Sequence, residues 1–363
     1  MQYKEFGRTG HLVSRIGFGG MRLESPEDID GMAEVVLHAF EQGINYFDTA
    51  PDYLDFQSEL IFGRAIGEIK KQGKPFFIST KTMAADPDAV RRQCEASLER
   101  LGIDTIDFYH IWCLVKPEDL PARKKKGVLK IFQQLKEEGL IRHICVSTHL
   151  EHGRVAAMLE EGEDLFDSML IGLNVQNSHL RLEGVRAAAA KNMAVVTMNT
   201  LGGGVLTDHS DRFQAVLRPG DRSILDAAIR FNLSIPEVTV ALVGFRNKKD
   251  IDQVIDTVNR LQTLSQDEIH EISTAMASAY KDMCTQCGYC SDCPEGIPVV
   301  RLMESYNYGM LKGMDAARRH MQYHWNSPDI KALLADCTQC RLCEEQCTQH
   351  LPILERFEIL KQE

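Results

Sequence analysis

Phe76-Phe77-Ile78-Ser79-Thr80-Lys81, an amphipathic stretch over Pro87–Leu101, and then Thr105-Ile106-Asp107-Phe108-Tyr109-His110-Ile111 make one strand–helix–strand unit. The two flanking runs are short and rich in isoleucine and phenylalanine, as strands covered by helices require. The same alternation extends both ways, through Arg15–Gly19 and Ile44–Thr49 upstream and Ile141–Thr148, Met169–Asn174, Ala194–Met198 and Val238–Val243 downstream. Helical patterns at Asp28–Glu41, Pro87–Leu101 and Val128–Glu138 lie between them. Gly43, Gly102 and Gly139 follow those helices, where a left-handed closing residue costs glycine little. Ser25-Pro26-Glu27-Asp28 reads as a helix entrance, with Ser25 as cap and the proline in the first turn. Eight strands with seven or eight helices predict an α/β fold of the (β/α)8 TIM-barrel type, which needs roughly 250 residues. A doubly wound dinucleotide fold fits less well, because Gly17-Phe18-Gly19-Gly20 lacks the last glycine of the phosphate-binding turn. Gly202-Gly203-Gly204 is a loop, not a phosphate loop, since no Gly-Lys-Ser/Thr follows it.

The barrel accounts for residues 1–263. Residues 264–363 differ in kind: residues 264–283 and 299–335 are helical in pattern, and two cysteine runs interrupt them. One is Cys284, Cys287, Cys290, Cys293-Pro294; the other is Cys337, Cys340, Cys343, Cys347. Spacings of two or three place thiolates around a common centre, and four sulfurs suit a [4Fe–4S] cube. Two four-cysteine zinc sites are the alternative, but zinc favours separated Cys-x2-Cys pairs, whereas each run here offers three cysteines at x2 steps. Tyr306, Tyr308, Tyr323 and Trp325 are expected to wrap the clusters and exclude water. Cys94, Cys113 and Cys145 read as small buried hydrophobes.

The 363 residues are 44% hydrophobic and 26% charged, with a formal net charge of −11, which suits a globular protein without a membrane span. The acidic balance argues against a nucleic-acid partner and is compatible with a basic redox protein. Arg123-Lys124-Lys125-Lys126 reads as a solvated helix start or loop rather than a phosphate-backbone site. The start lacks an apolar signal segment, and the first 283 residues hold only three cysteines, so reducing cytoplasm is the expected compartment.

In a barrel of this kind, chemistry sits where strands end. Asp48, Lys81 and His110 close three successive strand runs, and Tyr53 lies in the loop after the first of them. A buried aspartate and lysine offset each other's charge. A nearby ammonium makes a phenol, ordinarily near pKa 10, a better proton donor. A histidine opposite can hold and polarise a carbonyl oxygen.

Phe47-Asp48-Thr49-Ala50-Pro51-Asp52-Tyr53, Ser58-Glu59, Ser79-Thr80-Lys81, Tyr109-His110, Leu201-Gly202-Gly203-Gly204 and Val243-Gly244-Phe245-Arg246 together resemble the aldo-keto reductase family over roughly residues 1–260. The whole chain resembles the subgroup that carries a C-terminal two-cluster ferredoxin-like module. The resemblance implies NADP(H) or NAD(H) across the C-terminal rim and a small carbonyl or alcohol substrate. It implies Tyr53 as general acid, Lys81 and Asp48 tuning it, and His110 orienting the carbonyl. It also implies cofactor contacts from Ser147, Asn174, Gln176, Gly203, Arg246 and Lys248, with a lean to NADPH from the basic residues. Four positions depart from the family pattern: Thr148 stands for an asparagine, Leu173-Asn174 stands for Tyr-Asn, Met198-Asn199-Thr200 lacks a lysine, and Gln253-Val254 replaces Glu-Asn. In a two-cluster ferredoxin the fourth cysteine of each run serves the other cluster. That implies one set of Cys284, Cys287, Cys290 and Cys347, and another of Cys337, Cys340, Cys343 and Cys293. Two functions follow as expectations: an NAD(P)H-dependent carbonyl reductase carrying clusters, or an electron-transfer oxidoreductase whose clusters feed a flavin or organic substrate at the rim.

Overall fold

The structure is a computed structural model that describes residues 1–114, 117–208, 210–279, 283–284, 290–325, 329–347 and 351–362, with the side chains of 205, 208, 212, 279 and 323–325 left aside. Cys287 therefore lies outside the described residues, as do the side chains of Tyr323 and Trp325.

The chain opens with a hairpin of β1 (Tyr3–Glu5) and β2 (Leu12–Ser14), paired antiparallel. Eight strands follow: β3 (Ile16–Gly19), β4 (Tyr46–Asp48), β5 (Phe77–Thr82), β6 (Ile106–Leu114), β7 (Ile141–Thr148), β8 (Ser168–Gly172), β9 (Ala194–Met198) and β10 (Val238–Gly244). They close a parallel barrel in chain order, with β10 returning to β3. The eight runs read from the sequence are these eight strands. Parallel neighbours need a crossover, and the intervening amphipathic helices supply it while covering the outer faces. Ile29–Glu41, Pro87–Leu101 and Val128–Glu137 lie within a residue of the expected helices, and Gly43, Gly102 and Gly139 all have positive φ.

Two local readings are corrected. Ser25 is not the helix cap. Asp28 is, its carboxylate accepting from the Gly31 N–H at 3.0 Å, because the turn containing Pro26 delays helix entry to Ile29. The basic run is the end of a helix, Asp119–Lys125, not its start. There the cations face the carbonyl end of the helix, where positive charge is favourable; Arg123 also donates to the Trp112 carbonyl at 2.9 Å.

The hairpin was not legible in the sequence. It plugs the end of the barrel opposite the expected rim. Phe6 is fully buried, its ring 4.1 Å from that of Phe108 and 5.5 Å from that of Tyr46. Beside it, the Nε2 atoms of His11 and His143 lie 3.0 Å apart, and His143 Nδ1 contacts Asp167 at 3.0 Å. Two facing ring nitrogens share one proton comfortably and two badly.

Beyond the barrel, helices Gln266–Ala279, Val299–Lys312, Met314–Trp325 and Ile353–Lys361 build the C-terminal part. Its own core joins Leu302, Met303, Met321 and Phe357 with Cys290 and Cys347. Among the described residues no helix is long and apolar enough to cross a membrane.

Burial, then the neighbouring His143, lowers the His11 pKa below 6.5, with Asp107 opposing and Arg142 reinforcing. The folded state thus favours neutral His11, and its contribution to stability is present above pH 6.5 and lost as the pH falls below it. His11→Gln is expected to shrink the drop in Tm between about pH 7.5 and about pH 5.5; an unchanged drop in thermal melts would exclude His11 as a source of acid lability.

Candidate active site and cysteine module

Asp48 ends β4 and pairs in register with Ser79 of β5, two residues before Lys81. Alternation along a strand puts Ser79 and Lys81 on one face. Lys81 Nζ donates to Asp48 Oδ1 at 2.7 Å and to the Thr49 carbonyl at 2.6 Å, and Ser79 Oγ donates to Asp48 Oδ2 at 2.8 Å. Lys81 is wholly buried and Asp48 nearly so. Burial lowers the Lys81 pKa; the adjacent Asp48 carboxylate opposes that shift. The ammonium lies over the Tyr53 ring, 4.9 Å from its centroid. His110, on β6 beside Lys81 of β5, is fully buried, and neither ring nitrogen reaches a hydrogen-bond partner of good geometry. Burial and the Lys81 charge push its pKa down to about 3, so the imidazole is neutral near pH 7. The structure therefore brings Asp48, Tyr53, Lys81 and His110 onto one sector of the rim.

Sequence reasoning missed how this sector is supported. Behind Lys81, on the other face of β5, Thr80 donates to the buried Glu59 at 2.6 Å, and Arg100 Nε holds the second Glu59 oxygen at 2.7 Å. β6 runs past its expected end at Ile111 to Leu114, with an irregularity between those residues and Cys113 at φ 64°. That kink brings the Trp112 ring edge-on to Tyr53, centroids 5.7 Å apart. The period-two pattern marked the face of Ser79; nothing in the sequence signals the kink.

The expected cofactor residues have mixed surroundings. Ser147 is fully buried on β7 with its hydroxyl unpartnered, as a ligand contact requires. Thr148 is committed elsewhere, donating to the Leu114 carbonyl at 3.0 Å. The Asn174 amide is already spent within the protein: it donates to the Asn199 carbonyl, beyond β9, at 3.1 Å and accepts from the Gln176 N–H of its own loop at 2.9 Å. Gln176 Nε2 points at Met283 Sδ, 3.7 Å away. Gly203 has φ 67°, and a Cβ there would sit 3.3 Å from the Tyr308 hydroxyl. Arg246 is held by Asp250 and Lys248 by Glu34, both at the surface, where such pairs are weak and exchangeable.

In the C-terminal part, one cavity is lined by Cys290, Cys293, Cys337, Cys340 and Cys343. Five thiols border one space, enough for the four that a cluster takes, and burial raises the Cys343 thiol to about 11, so metal would have to replace a proton there. Cys284, Cys290 and Cys347 pack against or within the module core. Among the described residues no three metal-binding side chains already converge at bonding geometry. The aromatics divide: Tyr306 packs on the module core and under Arg356, whereas Tyr308 turns to the barrel and stacks on His320 at 4.2 Å.

A barrel with a polar rim followed by a cysteine module defines a class, and sequence comparison names it. Residues 15–277 match the Aldo/keto reductase family, and residues 280–351 match the 4Fe-4S dicluster domain. The chain belongs to the aldo/keto reductase family and is an oxidoreductase with an appended 4Fe-4S dicluster domain. It is 25% identical over 303 residues to L-galactose dehydrogenase of Arabidopsis thaliana, covering 74% of this chain and 91% of that one. It is 26% identical over 327 residues to aldo-keto reductase YhdN of Bacillus subtilis, covering 78% and 96%. The fold is similar to that of aldo-keto reductase AKR11C1 from Bacillus halodurans in its holo form, with TM-score 0.64, 20% identity, and coverage of 76% and 96%.

Removing Lys81 alone strands a buried carboxylate. Lys81→Met is expected to cost about 3–5 kcal/mol, and adding Asp48→Asn should recover much of it. A double-mutant cycle by denaturant unfolding checks this; additive losses would mean the pair is not coupled.

Proposed function

We propose that the chain reduces a small carbonyl compound with NADPH or NADH, and oxidises the alcohol in reverse. The observation that carries this is the buried Lys81–Asp48 pair set against Tyr53 with a buried, neutral His110 beside it. Asp48, steadied by Ser79, keeps Lys81 charged although burial disfavours it. Neutral His110 donates one N–H to the substrate oxygen and orients the carbonyl. Tyr53 gives its proton to that oxygen as negative charge develops, and the Lys81 cation stabilises the oxyanion left on the phenol. Trp112 shields this sector from water. A bound nicotinamide supplies hydride; Ser147 and the turn at Gly203 are the residues best placed to hold it, with Asn174 shaping the loop rather than contacting the ring. Arg246 and Lys248 would exchange their surface carboxylates for a nucleotide phosphate, which keeps the lean toward NADPH.

The cysteines hold two [4Fe–4S] clusters in the crossed pattern, one on Cys284, Cys287, Cys290 and Cys347, the other on Cys337, Cys340, Cys343 and Cys293. One cavity brings Cys290 and Cys293 of the first run to Cys337, Cys340 and Cys343 of the second, which supports ligation across the two runs. The substrate is a soluble small molecule, and the expected compartment is the cytoplasm.

Tyr53→Phe is expected to lower kcat for carbonyl reduction by about 10²–10⁴-fold while leaving the Kd for NADPH or NADH near its original value. Retention of wild-type kcat with any aldehyde or ketone substrate would remove Tyr53 as the acid. Cys293→Ala is expected to remove one cluster and roughly halve bound iron, measured by iron analysis and spin integration of the reduced protein; full iron content would overturn the crossed assignment.

A further inference from the structure

Where the barrel closes, glycine backbone lines the rim. Gly19 ends β3 and pairs in register with Gly244, which ends β10. The turn after β9 is Gly202-Gly203-Gly204, each with positive φ. Bare backbone of this kind lets a bulky anionic group come close. The balancing charge does not come from β9, since Met198-Asn199-Thr200 holds no lysine.

Arg22, in the loop after β3, brings a cation from the other side. A Cβ on Gly244 would meet Arg22 Cγ at 2.5 Å and Arg22 Cβ at 3.0 Å, so the arginine stem lies across the end of β10 and glycine is required beneath it. A Cβ on Gly203 would stand 3.7 Å from Arg22 Nη2, so the guanidinium reaches the turn after β9. The loop that carries Arg22 is fixed. Leu23 is buried, the Glu24 N–H donates to the Arg246 carbonyl at 3.3 Å, and Asn247 Nδ2 donates to Glu24 Oε2 at 2.8 Å. Arg246 and Lys248 are paired with Asp250 and Glu34. Among the described residues no carboxylate pairs with Arg22, which leaves its forked donors to an anion.

We infer that Arg22 binds the diphosphate of the nicotinamide dinucleotide, reaching from β3 across the turn at Gly203. This rests on the cofactor reading under Proposed function and gives the middle of the dinucleotide a partner. Ser147 is assigned to the nicotinamide end, and Arg246 and Lys248 to an adenosine phosphate. The diphosphate between those ends is negatively charged in NADPH and NADH alike. A planar guanidinium meets phosphate oxygens two at a time, which a lysine amine does not. Arg22 is a cofactor-binding residue, and no proton or hydride passes through it. Its contribution is to affinity, for both nucleotides equally, and to the salt dependence of binding.

The test is equilibrium dialysis of the full chain, its clusters reconstituted anaerobically, against NADPH in one arm and NADH in the other. Arg22→Met is expected to raise both Kd values by roughly 10- to 100-fold. It should also flatten their rise between about 50 and 300 mM salt. Arg22→Lys, which keeps the charge without the fork, should recover part of the loss. Kd values in Arg22→Met within about two-fold of wild type would overturn the inference. So would a loss confined to NADPH, which would move Arg22 to the adenosine phosphate, or an unchanged salt dependence, which would mean a distorted rim. If Arg22→Met melts earlier than wild type, Arg22→Lys decides, and wild-type Kd values for both nucleotides in that variant would overturn the inference. Saturable binding of either nucleotide to the unaltered protein keeps the cofactor reading standing whatever Arg22 does. Its absence in both arms would overturn that reading and this one together.

Discussion

A lysine ammonium taken wholly out of water is the constraint around which the barrel's working sector is arranged. Desolvation alone would neutralise it. Asp48 at 2.7 Å and the Thr49 carbonyl at 2.6 Å keep it charged, and Ser79 satisfies the far oxygen of the carboxylate. This arrangement is costly to build and more costly to break in half. A stability-driven core would replace it with packed hydrophobes, so its presence at a strand end argues for chemistry. Burial, and then the same charge, lowers the His110 pKa. One ion pair thus reinforces the neutrality of its histidine neighbour and places a cation against the phenol.

Support for the pair is spread over three strands. β4 brings Asp48, β5 brings Ser79 and Lys81, and β6 brings His110, all in parallel register. Parallel neighbours keep successive strand ends on one rim, which is why residues far apart in the chain meet there. On the outer face of β5, Thr80, Glu59 and Arg100 tie the strand to its flanking helices. The opposite end of the barrel is closed by the N-terminal hairpin and Phe6, which leaves the chemical rim free of structural plugging.

The two halves of the chain are not independent modules on a string. Gln176 meets Met283, Tyr308 lies against the Gly203 turn, and Met283 and Leu311 share the larger barrel-side core. The cysteine module therefore forms part of the rim wall.

Much of this was legible in residue order. Eight apolar runs with helix patterns between them imply a barrel because period and spacing are local properties of a chain. The cysteine runs imply clusters for the same reason, and Asp48, Lys81 and His110 are visible as polar residues at the ends of apolar strands. Tertiary structure decided what depends on contact across the fold. The kink at Cys113 that aims Trp112, the hairpin plug, and the donation of the Asn174 amide to the Asn199 carbonyl all follow from distant neighbours. So does the reach of Arg22 to the turn at Gly203. Periodicity records which face of an element is buried, but not against what, and a side chain's chemistry is set by the group it is buried against.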